Sequence, residues 1–352
     1  HLLIGEGEAG LEYIIDSLNR GDKLPQIVQN NINGGPFRVA DLNSLALPRL
    51  YNWVDVSKYL KEDAGYPVQT KRGCPLLCTY CTYPSIEGKH YRFISPVSVA
   101  DEIEAACISG VRDFEFVDST FNLPLNHAKA VINELSSRNI SANFVGGGIN
   151  PLNLDEELLN AMKMIGFDSV MATAESGSDK MLESYKKGFD RKILVKTAKM
   201  LNNCGMISLW SFLLGGPGET EKTVDETLNF IDKNMGKNNM AYIMSGVRIY
   251  PGSEIYKQWQ TGKLDKSGII VHEESGDLFY HSPHIEAGRI REKIAEFRKG
   301  YPNIILGDET QSLFTALALT CARTLRFSKP YWRHIPLLNL LKRPHTLLKI
   351  RK

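Results

Sequence analysis

Two hydrophobic periods follow each other along the chain in a regular order. Short apolar runs rich in strand-forming residues occur near 68–70, 113–118, 142–146, 169–174, 207–214 and 242–249. Between these runs, apolar residues recur at helical spacing near 96–109, 126–138, 155–165, 190–204 and 220–234. Strands that alternate with helices predict βαβ units around a parallel sheet.

The length of the alternating region predicts the architecture. A complete eight-strand barrel takes about 250 residues, which is more than this region contains. We therefore predict an α/β fold with a partial (β/α)6 TIM-like barrel over residues 67–255. Residues 1–66 and 256–352 then form an N-terminal segment and a helical C-terminal extension.

The N-terminal segment has the pattern of an incomplete α/β domain. A short apolar run ends at Gly5-Glu6-Gly7-Glu8, and apolar residues at helical spacing follow it from Leu11 to Leu18. One strand and one helix cannot bury a core alone. We therefore predict that residues 1–66 are the remnant of a larger domain, followed by a linker.

The C-terminal extension ends in a basic, leucine-rich tail. The stretch after Glu309 contains nine Lys and Arg residues and no Asp or Glu. One interpretation is a helix that packs on the barrel with a solvated basic face. The other is peripheral docking to an anionic membrane surface.

Composition narrows the function classes. The net charge of +2 argues against a dedicated nucleic-acid binder, which would carry a strongly basic domain. The chain opens without the basic and apolar regions of a signal peptide, and its six cysteines are too few for a disulfide scaffold. We therefore expect a reducing, cytoplasmic location.

Three cysteines stand close together in one polar loop. Cys74, Cys78 and Cys81 have the spacing C-x3-C-x2-C, directly after the first predicted barrel strand. A [4Fe–4S] cluster normally takes four cysteines, so three thiolates leave one iron open for a ligand. The alternative is structural zinc, which wants four ligands; His90 is a candidate for the fourth.

This motif resembles the signature of the radical S-adenosylmethionine (SAM) superfamily, in which an aromatic residue precedes the third cysteine. Tyr80 fills that position. The resemblance implies a partial (β/α)6 barrel and a [4Fe–4S] cluster bound by Cys74, Cys78 and Cys81, which would be both metal ligands and catalytic residues. It also implies that SAM binds the open iron and is cleaved reductively to start radical chemistry.

The same resemblance assigns SAM contacts to the ends of the later strands. Each candidate also has an ordinary interpretation as a helix cap, a turn or a surface residue. The candidates are Tyr80, Asp118, Ser119, Glu175, Ser176, Lys187, Arg191, Gly215, Gly216 and Pro217.

The Asp-rich second strand and the Ile4–Glu8 turn resemble the branch in which a cobalamin-binding domain precedes the barrel. The Asp-x-His-x-x-Gly motif that supplies the lower cobalt ligand in that domain is absent from the sequence, and His1 is not in that context. Cobalamin is therefore a candidate third cofactor. The resemblance implies methyl transfer or rearrangement at an unactivated carbon.

Two other functions remain open at this stage. One is a cobalamin-free radical SAM enzyme such as a methylthiotransferase, which would want a second cluster and therefore further cysteines. The other is a zinc-stabilised binding module. For the enzyme, we expect a small-molecule or lipid-like substrate, an electron donor such as flavodoxin or ferredoxin, and no nucleic acid.

Overall fold

The central feature is a parallel sheet whose strands follow the predicted apolar runs. In the computed structural model, the described residues are 2–29, 35–61, 64–272, 275–307, 313–325, 327 and 330–334. The strands are β1 (Leu2–Leu3), β2 (Ile27–Val28), β3 (Tyr66–Val68), β4 (Lys71–Arg72), β5 (Arg92–Phe93), β6 (Asp113–Phe116), β7 (Asn143–Ile149), β8 (Phe167–Glu175), β9 (Ile207–Leu214), β10 (Asn239–Ser245), β11 (Val247–Arg248), β12 (Ile269–Val271), β13 (Leu278–Tyr280) and β14 (Ile304–Leu306).

The sheet order confirms the predicted βα alternation. Seven strands are hydrogen-bonded in the order β14-β10-β9-β8-β7-β6-β3, and every neighbouring pair is parallel. Six of these strands succeed each other along the chain, as a partial barrel requires. The seventh, β14, lies in the C-terminal extension and pairs with β10.

Several helices begin at a residue whose side chain caps the first turn. The helices in the described residues are α1 (Gly7–Asn19), α2 (Val56–Lys61), α3 (Tyr83–Ile86), α4 (Pro96–Ile108), α5 (Leu125–Ser137), α6 (Glu156–Met164), α7 (Asp179–Ser184), α8 (Arg191–Cys204), α9 (Glu221–Asn234), α10 (Glu254–Gln260), α11 (Ala287–Phe297) and α12 (Leu313–Thr324). Five of them, α4, α6, α8, α9 and α10, have such a cap. Asp155 and Asp190 accept hydrogen bonds from the first turns of α6 and α8, which satisfies backbone donors that a helix leaves unpaired.

Aromatic residues fill the core on one side of the sheet. Phe114, Phe116, Phe144 and Phe167 are buried and lie with ring centroids 5.3–5.9 Å apart. Side chains of alternate strand residues point to the same face of a sheet, so these rings come together from three neighbouring strands. Burial of several aromatic side chains gives this region a large apolar contribution to stability.

The N-terminal segment forms a small unit of its own beside the barrel. Strands β1 and β2 pair in parallel, and helix α1 connects them. Gly5 forms a parallel bridge with Phe37. The predicted strand and helix are therefore present, and they pack against the segment that contains Phe37.

The C-terminal extension contains strands as well as the predicted helices. Strands β12 and β13 of the extension form an antiparallel sheet with β11, which directly follows β10, and α11 precedes the seventh barrel strand. Residues 335–352 of the basic tail lie outside the described residues. Within the part of the chain that the structure describes, no helix has the length and apolar character needed to cross a bilayer.

Candidate active site

The cysteine motif lies between two short antiparallel strands at the edge of the barrel. Strands β4 and β5 pair with Arg72 opposite Arg92, and the loop between them carries the three cysteines. Cys74 is buried, whereas Cys78 and Cys81 are half-buried. The amide of Cys81 donates to the carbonyl of Cys78 at 3.1 Å, which gives this part of the loop a tight turn.

The three thiols are close enough to influence each other electrostatically. Burial raises the pKa of Cys78, and it raises the pKa of Cys81 to about 11; charge on Cys74 adds to both shifts. The raised pKa values favour the protonated thiols of Cys78 and Cys81 near neutral pH, so metal binding must displace their protons. Across the described ranges, no three His, Cys, Asp or Glu side chains form a site for a single metal ion. Thiolates around a four-iron cluster each bind a different iron.

A hydrogen-bonded group beside the loop joins three predicted SAM contacts. The hydroxyl of Tyr80 donates to Oε1 of Glu175 at 2.6 Å, and Nζ of Lys187 donates to the same hydroxyl at 3.1 Å. Lys187 Nζ also lies 3.4 Å from Glu175 Oε2. The structure therefore brings Tyr80, Glu175 and Lys187 together, although they are far apart in sequence.

Glu175 has two features of a ligand-binding residue. It ends strand β8 with φ +63°, a conformation that costs energy for a residue with a side chain. Its Oε2 atom is buried and makes no hydrogen bond, despite the nearby Lys187. A buried acceptor without a donor is costly, so a donor from a bound molecule fits this position.

Tyr80 is held in place by aromatic and charge contacts. Its ring meets that of Tyr185 edge-on at 5.7 Å, and Lys187 Nζ lies 5.8 Å from its centroid. Burial raises the pKa of Tyr80 well above its usual value, and charge on Glu175 adds to this shift. The hydroxyl therefore stays protonated and remains a donor to Glu175.

Asp118 anchors the base of the cysteine loop. Its Oδ1 accepts from the amides of Thr70 and Lys71 at 2.8 and 3.2 Å, and its Oδ2 accepts from the Thr70 hydroxyl at 2.6 Å and from Lys71 Nζ at 3.0 Å. Ser119 donates to the carbonyl of Gly73 at 3.2 Å. These contacts make both residues anchors of the loop, and the SAM contact predicted for each of them stays a prediction.

Two further predicted contacts, Ser176 and Arg191, are hydrogen-bonded to residues outside the Tyr80 group. Ser176 is buried, and its hydroxyl lies 2.9 Å from that of Thr227 in helix α9. The amide of Arg191 donates to Asp179 at 2.6 Å at the start of helix α8. The first contact ties the end of β8 to α9, and the second ties the start of α8 to α7.

The predicted glycine-rich turn connects β9 to α9 beside Tyr185. Gly215 has φ +89° and donates its amide to Glu219 at 3.1 Å. A Cβ atom on Gly216 would lie 2.2 Å from the Tyr185 hydroxyl oxygen, so a side chain cannot be accommodated without movement. The carbonyl of Pro217 accepts from Ser184 at 2.7 Å. Close packing thus explains the glycine at position 216.

Burial also perturbs the carboxyl group of Glu219, which lies in the same turn. It raises the pKa of Glu219 to about 7, although hydrogen bonds from Thr223 and the amide of Gly215 oppose the shift. The ring of His281 packs against Gly215, and its Nε2 lies 3.1 Å from the hydroxyl of Ser245. The turn is therefore enclosed by groups from three elements.

A cavity of about 650 Å³ opens beside the Tyr80 group, at the carboxyl ends of the strands. Active sites of α/β barrels lie at this end. Sequence reasoning missed most of its wall, although the polar end of β10 was a signal. The lining residues are Tyr80, Glu175, Leu213, Tyr242, Met244, Ser245, Gly246, Val247, Arg248, Tyr250, His272, Phe279 and Gly307. A second groove, of about 670 Å³, lies between α9 and α11 on the outer helical layer and is lined by ion-paired residues such as Lys293. We therefore place the site in the 650 Å³ cavity beside the Tyr80 group.

Comparison with protein families identifies the barrel. Residues 68–231 match the model of the radical SAM superfamily, so this part of the chain is a radical SAM domain. The resemblance based on the cysteine motif is thereby confirmed. Members of this superfamily use a [4Fe–4S] cluster and SAM.

Curated relatives cover the same region. An uncharacterized methyltransferase of Pyrococcus horikoshii is 27% identical over 240 residues, which are 65% of this chain and 52% of the relative. A putative methylthiotransferase of Methanocaldococcus jannaschii is 29% identical over 240 residues, with the same two shares. The chain thus spans about half the length of these relatives.

A solved structure shows the same fold over almost the whole chain. It is the radical SAM methyltransferase TsrM of Kitasatospora setae with cobalamin and a [4Fe–4S] cluster bound. The TM-score is 0.76 at 20% identity, and the alignment covers 99% of this chain and 76% of that one. This similarity confirms the predicted α/β fold.

Proposed function

We propose that the radical SAM domain of this chain cleaves SAM reductively, and that the whole protein uses this chemistry for cobalamin-linked methyl transfer or rearrangement at an unactivated carbon. The observation that supports this most is the position of Tyr80. It lies in the loop of the three thiols and in the wall of the 650 Å³ cavity, bonded to Glu175. One residue therefore links the cluster site to the SAM site.

The donor set fits the cluster. Cys74, Cys78 and Cys81 are three neighbouring thiols on one loop, and thiolates are the usual ligands of iron–sulfur clusters. A bound cluster would supply the electron that breaks the carbon–sulfur bond of SAM. Cys74 is buried and the other two cysteines are half-buried, so the position is partly shielded from bulk water.

The Tyr80 group fits the polar parts of SAM. The Oε2 of Glu175, which faces Lys187 without a hydrogen bond, accepts from a hydroxyl or ammonium group of the ligand. The ammonium of Lys187, 2% exposed, is a partner for the SAM carboxylate. Tyr80 holds both charged groups in place through its two hydrogen bonds, so the ligand meets preset partners. The predicted contact of Gly215, Gly216 and Pro217 with SAM would be made by their backbone, since the space beside Gly215 and Gly216 is filled by His281 and Tyr185.

Methyl transfer with cobalamin is supported by the comparisons and by the N-terminal unit. A relative is named a methyltransferase, and the structure that aligns over the whole chain contains cobalamin. The β1–α1–β2 unit has the strand and helix expected of a cobalamin-binding domain, and this supports the assignment. A small-molecule or lipid-like substrate and a donor such as flavodoxin or ferredoxin complete this proposal.

Methylthiolation is the second candidate because one relative is named a putative methylthiotransferase. The two functions differ in their iron content. A methylthiotransferase of the kind considered above has a second cluster, so about eight irons per chain are expected instead of about four. Cobalamin binding separates them as well.

The test is anaerobic reconstitution of the full-length gene product with and without cobalamin. Iron, zinc, absorbance near 400 nm and SAM cleavage are measured for the wild type, Cys78→Ala and Cys204→Ala. Cys204 is a half-buried cysteine outside the motif and serves as a matched control. We expect Cys78→Ala to lose iron and SAM cleavage together, whereas Cys204→Ala keeps both. Stoichiometric zinc in the wild type, or equal iron in all three proteins, would refute the proposal.

A further inference from the structure

Two glutamates of the N-terminal unit form ion pairs with the β4–β5 hairpin, which carries the cysteine loop. We infer that Glu6 and Glu8 are positioning residues, which clamp Arg72 and Arg92 and so set the cysteine loop from the N-terminal unit. The inference rests on the proposed function, since it concerns the same cluster site. It extends that function by giving the acidic turn of the N-terminal unit a part in it.

Arg92 is the inner member of the clamp. Its guanidinium donates to both carboxylate oxygens of Glu6, with Nη1 2.9 Å from Oε2, and Nη2 donates to the carbonyl of Glu87 at 2.7 Å. A further bond reaches the carbonyl of Val39. The Glu6 side chain is only 8% exposed and that of Arg92 16%. A forked, largely desolvated pair of this kind has one strongly preferred geometry.

Arg72 is the outer member, two residues before the first cysteine. Its Nη2 and Nη1 atoms donate to Oε1 and Oε2 of Glu8 at 2.7 and 3.2 Å. Its Nη1 also lies 3.5 Å from Glu6 Oε2, and its Nε donates to Gln69 at 3.0 Å. Since Arg72 pairs with Arg92 across the hairpin, the two glutamates also neutralise two adjacent cations.

The clamp is itself fixed to the N-terminal unit. The amide of Glu6 donates to the carbonyl of Phe37 at 2.8 Å, and the amide of Val39 donates to Glu6 Oε2 at 2.7 Å. A Cβ atom on Gly5 would lie 2.2 Å from the backbone nitrogen of Phe37. The glutamates therefore stand on backbone that has little room to shift.

The other end of the clamp is tightly joined to the cysteines. The amide of Gly73 donates to Glu87 Oε2 and the amide of Cys74 donates to the carbonyl of Gly88, both at 3.0 Å. Gly73 has φ +90°, and a Cβ atom there would lie 2.1 Å from the His90 carbonyl oxygen. Because the backbone at Gly73 is tightly packed, a shift of Arg72 or Arg92 also moves Cys74.

The test compares Glu6→Gln, Arg92→Lys and Arg20→Gln in the full chain. Glu6→Gln keeps the side-chain shape but removes the charge, and Arg92→Lys keeps the charge but removes the fork. Arg20→Gln breaks an exposed ion pair with Asp22 on the same unit and is the matched control. Amide hydrogen exchange is measured on cluster-free protein, and iron per chain and the electron paramagnetic resonance spectrum after anaerobic reconstitution.

We expect Glu6→Gln and Arg92→Lys to speed exchange of the hairpin amides at 71–74 and 90–93 by about tenfold or more, since a largely buried pair is broken. Amides of β9 should exchange as in the wild type. The reconstituted variants should hold less iron and show an altered resonance spectrum, whereas Arg20→Gln matches the wild type throughout.

Hairpin exchange equal to that of Arg20→Gln would overturn the inference, and so would an equal loss of protection in β9, which indicates general destabilisation. If Glu6→Gln does not fold, Glu8→Gln replaces it, because Glu8 is 42% exposed and makes fewer contacts. Hydrogen exchange is measured on protein without a cluster, so it tests the clamp independently of iron binding. A wild type that binds no iron would refute the proposed function, and the exchange data would still decide the inference about the clamp.

Discussion

Replacement of Asp118 by Asn tests how the cysteine loop is anchored to the barrel. Asp118 and Lys71 have fully buried side chains, with Nζ 3.0 Å from Oδ2. Asn keeps the shape and one acceptor but removes the charge that Lys71 faces. We predict that Asp118→Asn lowers the free energy of unfolding of the cluster-free protein by about 3 kcal/mol or more.

The magnitude follows from the contacts of the two groups. Removing one partner of a buried ion pair costs about 3–5 kcal/mol, because the other charge stays desolvated. Lys71 retains a bond to the Phe121 carbonyl at 3.1 Å and a ring contact at 5.8 Å, which places the loss near the lower limit. Burial already lowers the pKa of Lys71, and Asp118 opposes this shift. Without Asp118 the pKa falls further, so the destabilisation should grow as the pH falls and the amine must be protonated.

Urea unfolding followed by circular dichroism measures the effect, with two further variants. In Lys71→Met/Asp118→Asn no buried ammonium remains, and we expect at least half of the lost stability to return. Asp55→Asn, which removes an exposed partner of Lys58, should cause no measurable change. A loss below about 1 kcal/mol for Asp118→Asn would refute the anchor. Unchanged stability with weakened SAM binding would instead support the SAM contact that the sequence analysis predicted.

Three further predictions concern the cavity wall and the glycine-rich turn. Tyr80→Phe removes the hydroxyl that donates to Glu175 at 2.6 Å; SAM affinity in equilibrium dialysis should fall about tenfold with iron content unchanged, and equal affinity would contradict the assigned contact. Gly216→Ala places a Cβ atom 2.2 Å from the Tyr185 hydroxyl oxygen and should lower the melting temperature by several degrees. Gly288→Ala has open space around it and should not lower the melting temperature. Equal melting temperatures for the two variants would show that the turn adapts. Glu219 has a pKa of about 7 in the folded chain, against an ordinary value of 4.5, so the folded state binds a proton that the unfolded state releases. The free energy of unfolding should therefore fall by about 3 kcal/mol as the pH rises from 4.5 to 8. Glu219→Gln should abolish this pH dependence, and an identical dependence in both proteins would assign it to another group.

The barrel could be predicted because its signals are local. Helices expected at 96–109 and 190–204 occur at Pro96–Ile108 and Arg191–Cys204, where Ser95 and Asp190 cap their first turns. Strand β14 could not be predicted, since three apolar residues do not define a period. Its place depends on pairing with β10, which lies some 60 residues earlier.

The site could be predicted only where one loop contains it. The spacing of three cysteines within eight residues predicts a metal centre by itself. Tyr80, Glu175 and Lys187 were each assigned to SAM from their strand ends, but their mutual bonds join positions 95 and 107 residues apart. Asp118 was assigned to SAM from its position at a strand end, whereas its bond to Lys71, 47 residues away, could not be predicted from the sequence.

The anchors of the cysteine loop come from three separate parts of the fold, and this has a thermodynamic consequence. Asp118 holds its base from the barrel, Glu6 and Glu8 hold its hairpin from the N-terminal unit, and the amide of Thr79 donates to the carbonyl of Tyr185 at 3.1 Å. None of these contacts involves a thiol. The loop can therefore be ordered before metal arrives, so binding loses less free energy to the ordering of the chain. A loop ordered only by its cluster would instead show the same fast exchange in the wild type as in the clamp variants.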